Sequence, residues 1–164
     1  MFDLPLHPAL VHIPVGLAVI MPLLAGGLAV AILRGWLPAR AWVVAVGLQA
    51  VLLVGAFGSL ASGEADEDRA ERTVGEAALE AHETAAKIFT GAAAATLLAG
   101  IGALALSRKP SAAGALRAGF VAGTLAVVAL GGWVGHLGGK MVYGNPGIAA
   151  TSGAGGTAPQ VDND

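Results

Sequence analysis

Four long apolar runs constrain this chain more than any motif in it. They extend from about Leu10 to Leu33, Ala41 to Leu60, Ala85 to Leu106 and Ala118 to Val142, and none carries an unpaired charge in its middle. A helix of about 20 residues crosses a hydrocarbon core. Inside lipid only helices and closed barrels satisfy their own backbone groups. The expected fold is therefore all-α, an integral membrane four-helix bundle. Composition agrees: 55% of the 164 residues are hydrophobic and 12% charged. So short a chain has too little interior to hide that much apolar surface from water, which excludes a typical soluble enzyme. The first run does not read as a cleavable signal peptide, because Asp3 stands where a basic segment belongs and the apolar stretch is too long. Pro14 falls in the opening turn, where proline is tolerated, and Pro22 is expected to kink the helix mid-span.

Basic residues set the expected orientation. Arg34 and Arg40 occupy the first connection, and Arg108, Lys109 and Arg117 the third, so that side is expected to be cytoplasmic and both termini periplasmic. The second connection is acidic, with Glu64, Asp66, Glu67, Asp68, Glu71, Glu76, Glu80 and Glu83 against Arg69 and Arg72. Its Ala- and Glu-rich second half favours a helix that runs straight into the third span. The polar stretch 145–164, rich in Gly, Ser, Thr and Ala, has almost nothing to bury and reads as disordered. A net charge of -2 gives no reason to expect nucleic acid. The absence of cysteine excludes disulfides, thiolate zinc sites, iron–sulfur clusters and covalently attached haem.

All four histidines fall at one edge of the expected bundle. His7 precedes the first span and His12 lies in its first turn; His82 precedes the third, and His136 lies about two turns from the end of the fourth. At 1.5 Å of rise per residue, His12 and His136 come within roughly 10 Å of the same depth. Ionisable side chains at membrane depth are costly and point to function. Two imidazoles on different helices would hold a b-type haem from both faces, with His12 and His136 first by depth and His82 next. Alternatively His12, His82 and His136 with Glu83 would hold zinc or copper. Each of these histidines also has a plain structural reading, bonding a free carbonyl or water, and His7 is expected to be a solvated or capping residue.

Gly131, Gly135 and Gly139 recur at four-residue spacing, flanked by Gly132 and Gly138. Such a stripe lets helix backbones approach, and it would equally admit a flat macrocycle beside His136, with Gly132 one turn away. Gly55, Ser59 and Ser62 form a second small stripe expected to face the interior. Glu83 and Lys87 have the spacing of an intrahelical ion pair. Lys87 or Lys140 would otherwise steady a haem propionate or a quinone oxygen. Trp36, Trp42, Trp133 and Tyr143 lie near span ends and read as interface anchors. The acidic connection is either a solvated helix surface or a lure for a basic periplasmic cytochrome.

Several motifs resemble those of one bacterial family. The opening Leu6-His7-Pro8-Ala9-Leu10-Val11-His12-Ile13-Pro14-Val15-Gly16-Leu17 is similar to that family's HPxxVHFPI(G/A)L start, with Ile13 where the family often has Phe. Ser62-Gly63-Glu64-Ala65 and Ala81-His82-Glu83-Thr84-Ala85 continue the likeness. It closes on Gly132-Trp133-Val134-Gly135-His136-Leu137-Gly138-Gly139-Lys140-Met141-Val142-Tyr143-Gly144, similar to the family's GGxLVY ending. The family is domain of unknown function twenty-two thirty-one. The resemblance implies a four-helix protein of the bacterial inner membrane and implies no reaction.

The leading functional expectation is a haem b or metal-binding electron-transfer subunit, working with another membrane subunit or a soluble cytochrome. Its expected site comprises His7, His12, His82, His136, Gly132, Gly135, Gly139 and Lys87. A zinc or copper protein, or a cofactor-free assembly subunit, are the alternatives. No nucleophile–base pair, phosphate-cradling loop or buried carboxylate pair is visible, so a non-enzymatic role is expected.

Overall fold

The computed structural model describes residues 10–65 and 67–144. His7 and the stretch 145–164 lie outside the described residues. Helix α1 spans His12–Leu33, a 3-10 turn Ala39–Trp42 feeds α2 at Val43–Ala65, and a short α3 covers Glu67–Val74. Helices α4, Glu76–Ala105, and α5, Pro110–Tyr143, complete the order, with no strand among the described residues. Four segments are long and apolar enough to cross a membrane: α1, the stretch Ala39–Ala65, α4 and α5.

The helices outrun the apolar runs because helix propensity does not stop where hydropathy does. α4 begins at Glu76, nine residues ahead of the expected membrane entry at Ala85, through the Ala- and Glu-rich segment. α5 starts at Pro110, whose missing N–H is no loss in a first turn, and Ser111 to Arg117 carry the helix on to the span. Its 34 residues measure about 51 Å at 1.5 Å each, well beyond the ~30 Å hydrocarbon core. α1 continues as one helix through Pro22.

The turn after α1 is specified locally. Gly35 sits at φ 73°, the Gly35 N–H donates to Ile32 O at 3.1 Å and the Trp36 N–H to Ala31 O at 2.8 Å. This is the Schellman arrangement, which satisfies carbonyls the helix leaves open and needs a residue that tolerates a left-handed backbone. No atom crowds a Cβ added at Gly35, so Gly35→Ala carries only the conformational penalty. A loss of about 1 kcal/mol is expected in SDS unfolding titrations of the micelle-bound protein.

α1 packs on α2 and α5, and α4 also packs on α2 and α5, so the four spans close a ring. The interior is small: Ala18, Ala25, Ala45, Ala56, Ala85, Ala93 and Ala103 are buried, while Leu23, Val54 and Leu98 are exposed. In lipid this is the economical arrangement. Hydrocarbon is as apolar as leucine, so burying large side chains brings little, whereas small ones let backbones approach and pack.

Trp42, with Met21, Leu52 and Phe120, is a large side chain buried among these small ones, and it corrects the reading of this residue as an interface anchor. It is wholly buried, with its ring edge-on to Phe120 at 5.1 Å and 72°. The 3-10 turn swings the indole onto α5 instead of leaving it among headgroups. Trp36, Trp133 and Tyr143 are exposed. Gln49, the only amide in its apolar run, is also fully buried. Its Nε2 donates to the Ala93 carbonyl of α4 at 3.1 Å. Interhelical hydrogen bonds of this kind contribute about 0.6–2 kcal/mol in lipid.

Candidate functional site

The start of α1, the end of α2, the start of α4 and the end of α5 share one end of the bundle, around a cavity of about 650 Å³. Phe89 and Thr90 of α4, Ala56 of α2 and Gly131 of α5 belong to its wall. A Cβ on Gly131 would lie 3.4 Å from the Phe89 ring, so this depth is filled. Nearer the rim, Ala70 and Val74 of α3 also line the space. The lining is mostly apolar, with Ser59, Glu64, His82, Glu83 and Thr90 as its main polar side chains.

Of the described histidines, only His82 belongs to this wall. It is half-buried, and its ring faces α5 at Gly138, where a Cβ would stand 3.2 Å from Cε1 and 3.6 Å from Nδ1. Gly138 therefore makes room for the imidazole. His12 and His136 occupy the same end of the bundle but are exposed and do not line the cavity. Helical rotation explains the difference for α5. Gly131, Gly135, Gly138, Gly139 and Val142 present one face to the cavity, and each further residue turns about 100° around the axis. His136, next after Gly135, is carried off that face. Gly132, next after Gly131, is likewise exposed and outside the lining.

Gly131 and Gly138 serve close helix packing, while Gly135 and Gly139 work differently. A Cβ at Gly135 or Gly139 would meet nothing within 4 Å, so these positions keep the cavity wall flat. Gly55 does serve contact, with a Cβ there 3.1 Å from Pro14 Cδ. Ser59 lines the cavity, with its hydroxyl donating to Gly55 O at 2.9 Å.

The expected Glu83–Lys87 pair is present, Lys87 Nζ standing 2.6 Å from Glu83 Oε1. Glu83 lines the cavity and Lys87 does not. A second hollow, of about 160 Å³, is bordered by Glu71, Glu76, Leu79, Glu80 and Glu83, so the mouth is acidic. Among the described residues no three His, Asp or Glu side chains come together in a way that could hold a metal ion. His12, His82, His136 and Glu83 are thus not gathered around one point. Met141 lines the cavity, a residue that sequence reasoning passed over because it reads as one more apolar position. Gln49 was missed as well, though a lone amide in an apolar run was a visible signal.

No curated protein and no solved structure matches the chain. A family model described as predicted membrane protein, DUF2231, matches residues 3–149. With four apolar spans and a match over nearly the whole chain, this protein belongs to the DUF2231 family of multi-pass membrane proteins.

Proposed function

We propose that the cavity binds haem b and that the protein is an electron-transfer subunit, with His82 as the iron ligand. The observation that carries this reading is one imidazole set in a mostly apolar cavity whose α5 wall includes Gly131, Gly135, Gly138 and Gly139. A cavity of about 650 Å³ lies within the ~300–1,000 Å³ common for organic ligands. Neutral imidazole is a haem ligand, and an apolar surround tunes the potential. The basic connections with Arg34, Arg40, Arg108, Lys109 and Arg117 support a cytoplasmic placement of the opposite end. The cavity would then open on the periplasmic side of a bacterial inner membrane, where its acidic mouth would steer a basic cytochrome.

Detergent-purified protein from haem-replete cells is expected to show a haem absorption spectrum that His82→Ala abolishes. Gly135→Leu, which fills the cavity, should lower haem content while helical content stays unchanged. A colourless wild-type preparation would overturn the haem reading. Elemental analysis on the same sample that finds stoichiometric zinc or copper would replace it with an ion site.

The acidic mouth favours a second reading, a neutral quinone. Haem propionates are anionic, and like charges about 4 Å apart repel by ~4 kcal/mol at an effective dielectric constant of 20. A quinone carbonyl meets no such repulsion and would accept a hydrogen bond from His82. Solvent extraction and chromatography of the purified protein distinguish the two occupants.

A further inference from the structure

We propose that Arg117 and Arg40, at the end of the bundle opposite the cavity, hold the phosphate of an anionic phospholipid. Among the described residues, the charged side chains of that end are all basic. No Asp or Glu occurs between Asp3 and Glu64 or between Glu83 and Asp162, while Arg34, Arg40, Arg108, Lys109 and Arg117 all fall there. No described residue therefore offers these five side chains a carboxylate.

Arg117 is the member set into the fold. It lies two turns into α5 and is half-buried, with its guanidinium carbon 5.8 Å from the centroid of the buried Trp42 ring. Its Nε is buried and has no hydrogen-bond partner among the described residues. A charged donor at that depth lacks water on one side and requires an acceptor from elsewhere. The guanidinium carbon lies over the indole ring within cation–π range, which favours the charged group at that place. Arg40 is exposed on the 3-10 turn that carries Trp42, two residues before it. A phosphate diester at headgroup depth supplies the missing acceptor oxygens, and two arginines are suited to it by charge and fork geometry. Basic pockets between spans bind anionic headgroups in this way.

The test uses the full chain in detergent, with thermal unfolding followed after adding dioleoylphosphatidylglycerol, dioleoylphosphatidylcholine or inorganic phosphate at equal concentration and ionic strength. Phosphatidylglycerol is expected to raise the midpoint by several degrees, and the other two to leave it nearly unchanged. The lipid-dependent increment should fall by at least half in Arg117→Gln and by a smaller amount in Arg40→Gln, with partial recovery in Arg117→Lys. Because Arg117→Gln also disturbs Trp42, the increment rather than the starting midpoint is the readout. Arg40→Gln, at an exposed position, decides the matter if the first variant does not fold. Equal increments from the two lipids, or undiminished increments in both glutamine variants, would overturn the proposal. Inorganic phosphate reproducing the full increment would overturn the lipid as its source.

Discussion

Phe120→Ala is expected to lower the stability of the bundle by about 2–3 kcal/mol. Removing a buried Phe from a water-soluble core costs about 3–5 kcal/mol, of which part is transfer from water. In lipid that part is nearly absent, because the unfolded reference is also apolar; the cavity and lost contacts remain. Phe120 is wholly buried and supports the Trp42 ring edge-on at 5.1 Å, so its loss leaves Trp42, and Arg117 over it, without a floor. SDS unfolding titrations in mixed micelles measure the difference. Phe57, exposed on α2, is the control, and its change to alanine should move the midpoint little. Equal effects at the two positions would mean that the aromatic contact does not hold the basic end together.

Gly100→Ala and Gly135→Ala are expected to act in opposite directions. Both replace a glycine inside a spanning helix, and helix propensity alone favours alanine by about 1 kcal/mol. At Gly100 the new Cβ would lie 2.7 Å from Phe120 Cε2 and 3.1 Å from Val46 Cγ2. Phe120 cannot retreat, being held against Trp42. Overpacking of this kind costs about 1–3 kcal/mol, so after the propensity gain a net loss of up to about 2 kcal/mol is expected. At Gly135 the Cβ meets nothing within 4 Å, and the ligand-free protein should gain up to about 1 kcal/mol. The two substitutions are read by the same titration. In a Phe120→Ala background Gly100→Ala should lose its steric penalty, giving a coupling of about 1–3 kcal/mol in a double-mutant cycle. Absence of coupling would show that the close approach to Phe120 is not what fixes glycine at position 100.

Much of the architecture was legible because a bilayer reads hydropathy directly. Each apolar run long enough to cross lies in a helix long and apolar enough to cross, and the spacing of Glu83 and Lys87 foretold their ion pair. Gly35 ends α1 by its own backbone freedom. The candidate site was legible only in its depth. His12, His82 and His136 do share one end of the bundle, as their positions along the spans require. Which of them turns inward was hidden, because all four spans are apolar on every side and no hydrophobic face announces the interior. Trp42 shows the same limit: a tryptophan at a span end looks like an anchor until the 3-10 turn is seen to rotate it inward.

Length and hydropathy by themselves thus determined the number of crossings, their order and the end of the bundle at which each polar residue sits, since rise along a helix follows residue count. Rotation about each helix axis was decided only by tertiary packing. That rotation placed His82 rather than His136 in the cavity wall and opened Gly135 to space while closing Gly100 against Phe120. It also set Arg117 over Trp42. In lipid the difference between inside and outside lies in side-chain volume and contact rather than polarity, and those are properties of neighbouring helices, not of any one run of residues.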